Sequence, residues 1–433
     1  MKANKTITVY EHDRLKVGMV FDTGNRKVEF KQSHLQALEK HYGNGGLNYY
    51  QLINKGIKFN QFVGVLQVGE LTIEVLPKVD KTHDENRWRT LLIGMLKTVG
   101  TFNIQAPSSA ALNTKNNFIL DLYFALFLKE VEYLVNLGLV KKYTKTEGQS
   151  LALKGALQFG QHISKNLVHQ ERFFVRYSKY SYQQPLNQIL LKTLKLLKRI
   201  NSNATLHSRI GSMLLHFPEL PDITVSESDF EKIIYNRKTT LYKDAIEISR
   251  LLLLNYHPDV SAGKNYILAI MFDMNALWER FVYISLRKNR AQYQNIIAQA
   301  HKYFWRPKKG NRSSIQPDIV IKNKVNAVSE KPQTIVFDTK WKNIQSSNPS
   351  PDDLRQMYVY HDYFDAEKVA LIYPGETNHQ LSGQYLNKIN GQESNKTCGI
   401  ITIGIHENIK VWQNEICKQL NGWMFNALHN HLS

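Results

Sequence analysis

The sequence predicts a mixed α/β chain with a mostly β N-terminal domain, a mainly helical middle region, and a C-terminal mixed sheet flanked by helices. Three observations carry this. Short alternating runs broken by turn residues fill the first part, helical periodicity takes over at about Arg87, and beyond Pro258 the elements follow the order helix, three strands, helix, strand. The expected divisions are residues 1–86, 87–262 and 263–433.

In the first part, Ile7–Tyr10, Phe62–Leu66 and Leu71–Leu76, the last stopped by Pro77, have the length and composition of strands. In the middle, Pro185–Ile200 places Leu186, Ile189, Leu190, Leu194 and Leu197 on one helical face, with Pro185 suited to the first turn. Some β content is expected around Phe173–Tyr182, and the Pro- and Gly-containing stretch Pro258–Lys264 marks the second boundary.

The C-terminal part opens with a helical stripe of Met274, Leu277, Trp278, Phe281, Val282 and Ser285, with Glu279 at its border. Strands are expected around Ile296–Phe304, Ile315–Ile321 and Thr334–Trp341. Ser350 offers an N-cap, Pro351 a first-turn residue, and Asp352 with Asp353 a negative first turn, so a helix should run to about Phe364. Strands at Val369–Tyr373 and Gly399–Ile405 follow, and the Asn-, Gln- and Gly-rich segment Gly375–Cys398 is expected to loop out between them.

Composition narrows the function classes. The 433 residues carry 56 Lys+Arg against 37 Asp+Glu, a net charge of +19 that points to a polyanionic partner. Cys398 and Cys417 form no C-x-x-C pair, so neither a disulfide framework nor a cysteine zinc site is expected. Phe118–Val140 is interrupted by Asp121, Lys129, Glu130 and Glu132, no apolar run has the length of a membrane helix, and no secretory signal is visible, which makes the cytoplasm the expected location.

The candidate chemistry lies in Gln316-Pro317-Asp318-Ile319-Val320-Ile321 and in Ile335-Val336-Phe337-Asp338-Thr339-Lys340-Trp341-Lys342. Residues two apart in a strand share a face, so Asp338 and Lys340 should point one way and Phe337, Thr339 and Trp341 the other. Ile335–Phe337 read as a strand buried on both faces, where a carboxylate needs a compensating partner or metal. If Asp318 converges on Asp338, the two carboxylates make a hard-oxygen site suited to Mg²⁺ or Mn²⁺, able to hydrolyse a phosphodiester with Lys340 orienting a water or balancing charge. Gln356 and Tyr360, four apart on the expected helix, share a face near that site, and Glu279 is a further candidate acid and metal ligand.

Pro317-Asp318 followed by Asp338-Thr339-Lys340 resembles the signature of the PD-(D/E)xK nucleases, and Gln356-Met357-Tyr358-Val359-Tyr360 resembles the Q-x-x-x-Y motif of their RecB-like branch. Phe337–Lys342 and Gln356–Tyr358 are similar to the McrC family, the nuclease subunits of McrBC modification-dependent restriction systems. Leu71–Lys78, Lys154-Gly155-Ala156-Leu157 with His162 and Asn166, and Pro185–Leu190 extend the likeness upstream. The resemblance implies a PD-(D/E)xK core in which Asp318 and Asp338 bind metal, Lys340 is the catalytic lysine, and Gln356 and Tyr360 complete the site. It also implies a partner: a McrB-like AAA+ GTPase ring that recognises modified cytosine, moves double-stranded DNA and is engaged by the N-terminal part. No Walker motif is present, since Pro258 stands where Ser261-Ala262-Gly263-Lys264 would need an earlier glycine.

The expected function is that of a Mg²⁺-dependent endodeoxyribonuclease subunit. A non-catalytic DNA-binding adaptor that stimulates the ring, and a stand-alone repair nuclease of the same fold, are the alternatives. Two basic, aromatic runs stand out. His301–Arg312 holds five Lys/Arg, three aromatics and no acid, in keeping with a phosphate-gripping loop or a solvated hairpin tip. Arg172–Tyr182 reads as a strand with an aromatic core face or as a binding surface. His429 and His431 have the spacing of a ligand pair but lie in an expected frayed tail.

Overall fold

The structure is a computed structural model that describes residues 5–22, 27–43, 48–77, 84–99, 119–257, 266–288, 293, 295–322, 333–342, 344, 348–387 and 389–425. The chain forms two compact units, one drawn from Met1–Thr6, Val65–Thr72 and Phe102–Ile270, the other from Ile7–Gly64, Ile73–Thr101 and Met271–Ser433. The expected strands appear as Lys5–Tyr10, Phe62–Val68 and Leu71–Leu76. Helices Gln32–Gly43 and Glu85–Val99 add to them. The three-segment division follows secondary-structure character rather than compactness and remains a proposal; its second boundary, Pro258–Lys264, lies outside the described residues.

The first unit is mainly helical. Its helices include Ile119–Leu137, Pro185–Ile200, Ala204–His216 and Lys243–Leu254. Pro185 stands in the first turn, and Leu186, Ile189, Leu190, Leu194 and Leu197 are buried, as the periodicity requires. Asn187, wholly buried, donates to the Val140 and Tyr182 carbonyls, both at 2.9 Å, and accepts from Tyr242 at 3.1 Å. The Pro185–Leu190 motif is thus partly a polar tie between segments.

A three-stranded antiparallel sheet pairs Lys142–Ser150 and Ala156–Leu157 with Phe173–Ser181. Phe174 and Val175 are buried whereas Tyr180 is 53% exposed, so the aromatic core face expected for this run exists only at its beginning. Gly155 has φ +71°, and a Cβ there would meet the Arg176 carbonyl at 2.3 Å, which explains a glycine after Lys154. Asn166 Nδ2 contacts His162 Nδ1 and the Arg172 carbonyl, both at 2.9 Å, so the His162 and Asn166 of the upstream motif are bonded to each other.

The second unit carries the C-terminal sheet. Its elements are α1 (Met274–Lys288), β1 (Asn295–Ala298), β2 (Lys302–Trp305), β3 (Ser313–Ile315), β4 (Ile319–Lys322), β5 (Thr334–Thr339), α2 (Pro351–Phe364), β6 (Lys368–Gly375), β7 (His379–Leu386), β8 (Glu393–Gly404) and α3 (Ile409–Phe425). Six strands pair in the order β1-β4-β5-β6-β8-β7. The β5–β6 and β6–β8 pairs are parallel and the others antiparallel. Val320, Val336, Leu371 and Tyr373 pack with Met357, Tyr360 and Phe364 of α2 on one face. On the other, Phe337 meets Trp423 of α3, while Trp278 of α1 lies against Trp412 with ring centroids 5.3 Å apart.

α2 begins as expected, with the Ser350 side chain accepting from the Asp353 N–H and Pro351 in the first turn. Three expectations need correction. The runs Ile296–Phe304 and Ile315–Ile321 are each broken, because the chain leaves the sheet after Ala298, forms the separate β2–β3 hairpin and returns at Ile319. Gly375–Cys398 does not loop out: β7 pairs with β8 as an edge strand, which needs no apolar face and so tolerates a polar composition. Finally, α3 packs Trp412, Ile416, Leu420 and Trp423 into the core where no element was expected. His429 and His431 lie outside the described residues. Among the described residues, no helix is long and apolar enough to cross a membrane.

Candidate active site

The β4–β5 ladder pairs Ile319 with Phe337 and Val320 with Val336. Continued by one residue, this register sets Asp318 opposite Asp338. Directly opposed antiparallel residues project from the same face with Cβ atoms about 4.5–5.5 Å apart. Asp318 therefore converges on Asp338 on the face covered by α2. Asp338 is 2% exposed, the last carboxylate of a strand whose Ile335, Val336 and Phe337 are all buried.

Thr339 departs from the expected alternation. Its N–H and Oγ1–H both donate to Asp318 Oδ2 at 2.7 Å, and it is the last residue of the strand. Lys340 follows outside the strand, its N–H donating to the Ile372 carbonyl at 2.9 Å. Its Nζ lies 2.8 Å from Asp338 Oδ2 and 3.8 Å from Asp353 Oδ1. It also donates to Gln356 Oε1 at 3.2 Å.

Gln356 and Tyr360, one helical turn apart, extend this contact. Gln356 Nε2 donates to Tyr360 Oη at 2.7 Å, and Tyr360 donates to the Gln316 carbonyl at 3.0 Å. From the other helix, Glu279 Oε1 accepts from Gln299 at 2.8 Å, and Gln299 Oε1 accepts from Gln316 at 3.0 Å. A polar chain thus runs from Glu279 through Gln299, Gln316, Tyr360 and Gln356 to Lys340.

Three participants escaped the sequence reading. Gln299 carries no motif; strand alternation directs Thr339 away from the Asp338 side, yet it bonds Asp318; Asp353 reads from sequence only as a helix-start acid. Asp353 Oδ2 also accepts from Lys342 Nζ at 2.5 Å, so this one carboxylate touches both lysines that follow Asp338. Its position one turn into a helix that packs on β5 was the available signal.

The electrostatics follow from burial. Desolvation raises the Asp338 carboxyl, and the neighbouring Asp318 charge raises it further against the pull of Lys340. Asp318 is also raised by burial, opposed by its Thr339 hydrogen bonds and by Lys340. Glu279 is pushed up to about 7 by burial and then by the Asp318 charge. Burial alone would lower the Lys340 ammonium, but the contact with Asp338 and the charges of Asp353 and Asp318 together outweigh it and the net shift is upward. Asp353 moves down because hydrogen bonds from Lys342 and Ser350 outweigh its burial.

This donor set fits a divalent cation. Asp338 Oδ2 is buried and accepts no aligned hydrogen bond, the Lys340 contact being an ion pair without that alignment. Three oxygen donors that repel one another with raised proton affinity are a hard-ligand environment relieved by a cation. Among the described residues, no three His, Cys, Asp or Glu side chains stand close enough to hold a metal by themselves. Asp318 and Asp338 are therefore the central candidates, and Glu279 stands within electrostatic range of both.

The sequence model of the McrBC 5-methylcytosine restriction system component matches residues 57–374, well over half of the chain. The chain belongs to this family. It is also similar to a chain of the Thermococcus gammatolerans assembly described as McrB AAA+ hexamers with bound McrC, at 19% identity and a TM-score of 0.71. That likeness covers 97% of this chain and 100% of the other. A second likeness, to a chain of the Thermococcus gammatolerans McrBC complex, has 22% identity and a TM-score of 0.51, covering 67% and 90%. At these identities the structural likeness speaks for the fold. No curated protein matches. The resemblance to McrC drawn from Asp338-Thr339-Lys340 and Gln356-Met357-Tyr358 agrees with the family and with both structural likenesses.

Proposed function

We propose that the chain is the metal-dependent endodeoxyribonuclease subunit of a McrBC-type restriction system. The carrying observation is the meeting of Asp318, Asp338 and Lys340 at the ends of two paired strands, with Lys340 held by Gln356. Asp318 and Asp338 hold Mg²⁺ or Mn²⁺, with Glu279 beside them. When bound, the cation supplies charge stabilisation at the scissile phosphoryl group and a water nucleophile at neutral pH.

This chain's own residues do the rest. Thr339 fixes Asp318 through two bonds to one oxygen, which orients the carboxylate. Lys340 keeps its proton at neutral pH, so it acts as a fixed cation and donor that positions water and balances charge developing on the phosphate, not as a base. Gln356 and Tyr360 hold the ammonium in place through a bonded path ending on the Gln316 carbonyl. Glu279, whose ordinary range is shifted to about 7, is the acid best placed to exchange a proton near neutrality.

The partner we assign is a McrB-like AAA+ GTPase ring, supported by family membership and by likeness to a chain from an assembly of McrB hexamers with bound McrC. The substrate assigned is double-stranded DNA carrying modified cytosine, and the site of action is the cytoplasm. The test is reconstitution of the purified chain with such a ring, GTP, Mg²⁺ and methylated DNA. Cleavage should appear, and Asp338→Ala should abolish it while leaving the ring's GTP hydrolysis stimulated. Restriction that survives Asp338→Ala would instead make the chain a non-catalytic adaptor, and cleavage without any ring would make it a stand-alone nuclease.

A further inference from the structure

The β2–β3 hairpin takes no part in the six-stranded sheet. It leaves the chain after Gln299 and rejoins it at Gln316, and these two residues bond to each other across its base and link to Glu279 and Tyr360. Asp318 follows two residues later. The hairpin is therefore rooted in the candidate site.

Its surface is unusual in two respects. Tyr303, Phe304 and Trp305 are 60%, 49% and 57% exposed, although aromatic side chains normally find burial. Trp305 is the exposed tryptophan of the chain, since Trp88, Trp278, Trp341, Trp412 and Trp423 are each 9% exposed or less. Between His301 and Arg312 there are five Lys/Arg and no acid to balance them.

The hairpin is also tethered. Phe304 packs edge-on against Tyr363 at 5.7 Å, and the Lys302 ammonium lies 5.3 Å from the Phe364 ring, both partners on the helix that carries Gln356 and Tyr360. Arg312 lies over Tyr303 at 5.3 Å and stiffens the ribbon from within. Neither Trp305 nor the tip cations Arg306, Lys308 and Lys309 are needed for these tethers.

We propose that this hairpin is a duplex-DNA grip built onto the active site, with Arg306, Lys308 and Lys309 on phosphates flanking the scissile bond and Trp305 against the sugar and base surface. The proposal rests on the nuclease reading of the site. Unbalanced cations beside exposed aromatic rings are complementary to phosphate and base, and a two-stranded ribbon fits a major groove about 12 Å wide. The grip gives the subunit affinity of its own for the strand it cuts, independent of recognition by the ring.

The test is binding of the full-length protein to a short labelled duplex in EDTA, where cleavage cannot occur, across a salt series from about 50 to 200 mM. Wild type should bind, with the emission of Trp305 quenched. Arg306→Ala/Lys308→Ala/Lys309→Ala should lower the slope of log affinity against log salt by up to about 2.7, at about 0.9 per phosphate. Trp305→Ala should weaken binding and remove the quench. Both variants should keep the wild-type melting temperature. An unchanged salt slope in the triple variant, an unchanged quench in Trp305→Ala, or no binding by wild type at the lowest salt would overturn the grip. If the variants lose DNA binding but the reconstituted wild type never cleaves, the grip stands and the nuclease reading fails; cleaving wild type with fully binding variants gives the converse.

Discussion

Asp318 Oδ2 accepts two hydrogen bonds from a single residue, the N–H and the hydroxyl of Thr339, each at 2.7 Å. The carboxylate is thereby fixed by the strand that bears its partner Asp338. Thr339→Val keeps the branched shape and the N–H bond but removes the hydroxyl. Hydrogen bonds to charged groups contribute about 1.5–3 kcal/mol, so cleavage should fall about 10- to 100-fold with the fold retained, and Thr339→Ser should restore most of it. Metal titration followed by calorimetry should show the loss as weaker cation binding; equal binding by wild type and Thr339→Val would rule out an orienting role.

Lys340 and Asp338 make opposite demands on stability and activity. Removing a positioned charge or donor from a site of this kind costs about 10²–10³ in rate, so Lys340→Ala should lose at least that much. Asp338→Asn should be inactive as well. In metal-free buffer, however, it should melt higher than wild type, because it removes the cost of burying the Asp338 charge and then its repulsion by Asp318, which together exceed the attraction of Lys340. Thermal melts with EDTA decide the matter, and a lower melting temperature for Asp338→Asn would contradict the electrostatic account.

The raised carboxyls also set the pH dependence of the metal-free protein. Folded Glu279 keeps its proton up to about 7, whereas the unfolded carboxyl loses it near 4.5. Between those values the folded state binds more protons, so this stabilisation is complete below about 4.5 and is lost as pH rises through about 7. Asp318 and Asp338, both raised, act in the same direction. Asp353, which is lowered, acts oppositely at acid pH: its contribution is present above the ordinary carboxyl range and is lost on acidification. The melting temperature in EDTA should therefore fall from about pH 5 to about pH 7.5. Glu279→Gln should flatten that slope and added Mg²⁺ should offset it; an identical slope in Glu279→Gln would assign the effect elsewhere.

Much of this site was legible because strand parity and helix spacing are properties of sequence. Asp338 and Lys340, two apart, meet although Lys340 lies just past the strand, Gln356 and Tyr360 meet as the i, i+4 rule requires, and the Ser350 cap sits where its hydroxyl can reach the Asp353 N–H. What escaped depended on where regular geometry stops. Thr339, which bonds Asp318, is the last residue of β5, and Gln299, at φ +50°, joins Glu279 to Gln316 only because a hairpin brings its two ends together. The edge strand β7 was missed because an edge can be polar on both faces. Each unit is drawn from stretches far apart in the sequence, which no local pattern records.

Gly399 tests how far the core behind the site governs it. A Cβ at this position would lie 2.5–2.6 Å from the Trp423 indole, so β8 and α3 approach as closely as they do because no side chain intervenes. The indole cannot yield easily, since it is a rigid ring 9% exposed, packed against Phe337 at 5.7 Å between centroids and lying under the Lys368 ammonium at 5.9 Å. Overpacking a core costs about 1–3 kcal/mol, so Gly399→Ala should lower the unfolding free energy by about that amount, read from denaturant melts as an earlier midpoint. Because Phe337 directly precedes Asp338, the displaced indole should also disturb the carboxylate and reduce cleavage. Adding Trp423→Leu should open room for the new methyl group and recover part of both losses. A Gly399→Ala variant with unchanged stability would show that α3 shifts freely on the sheet, and the rigid backing inferred for Asp338 would be wrong.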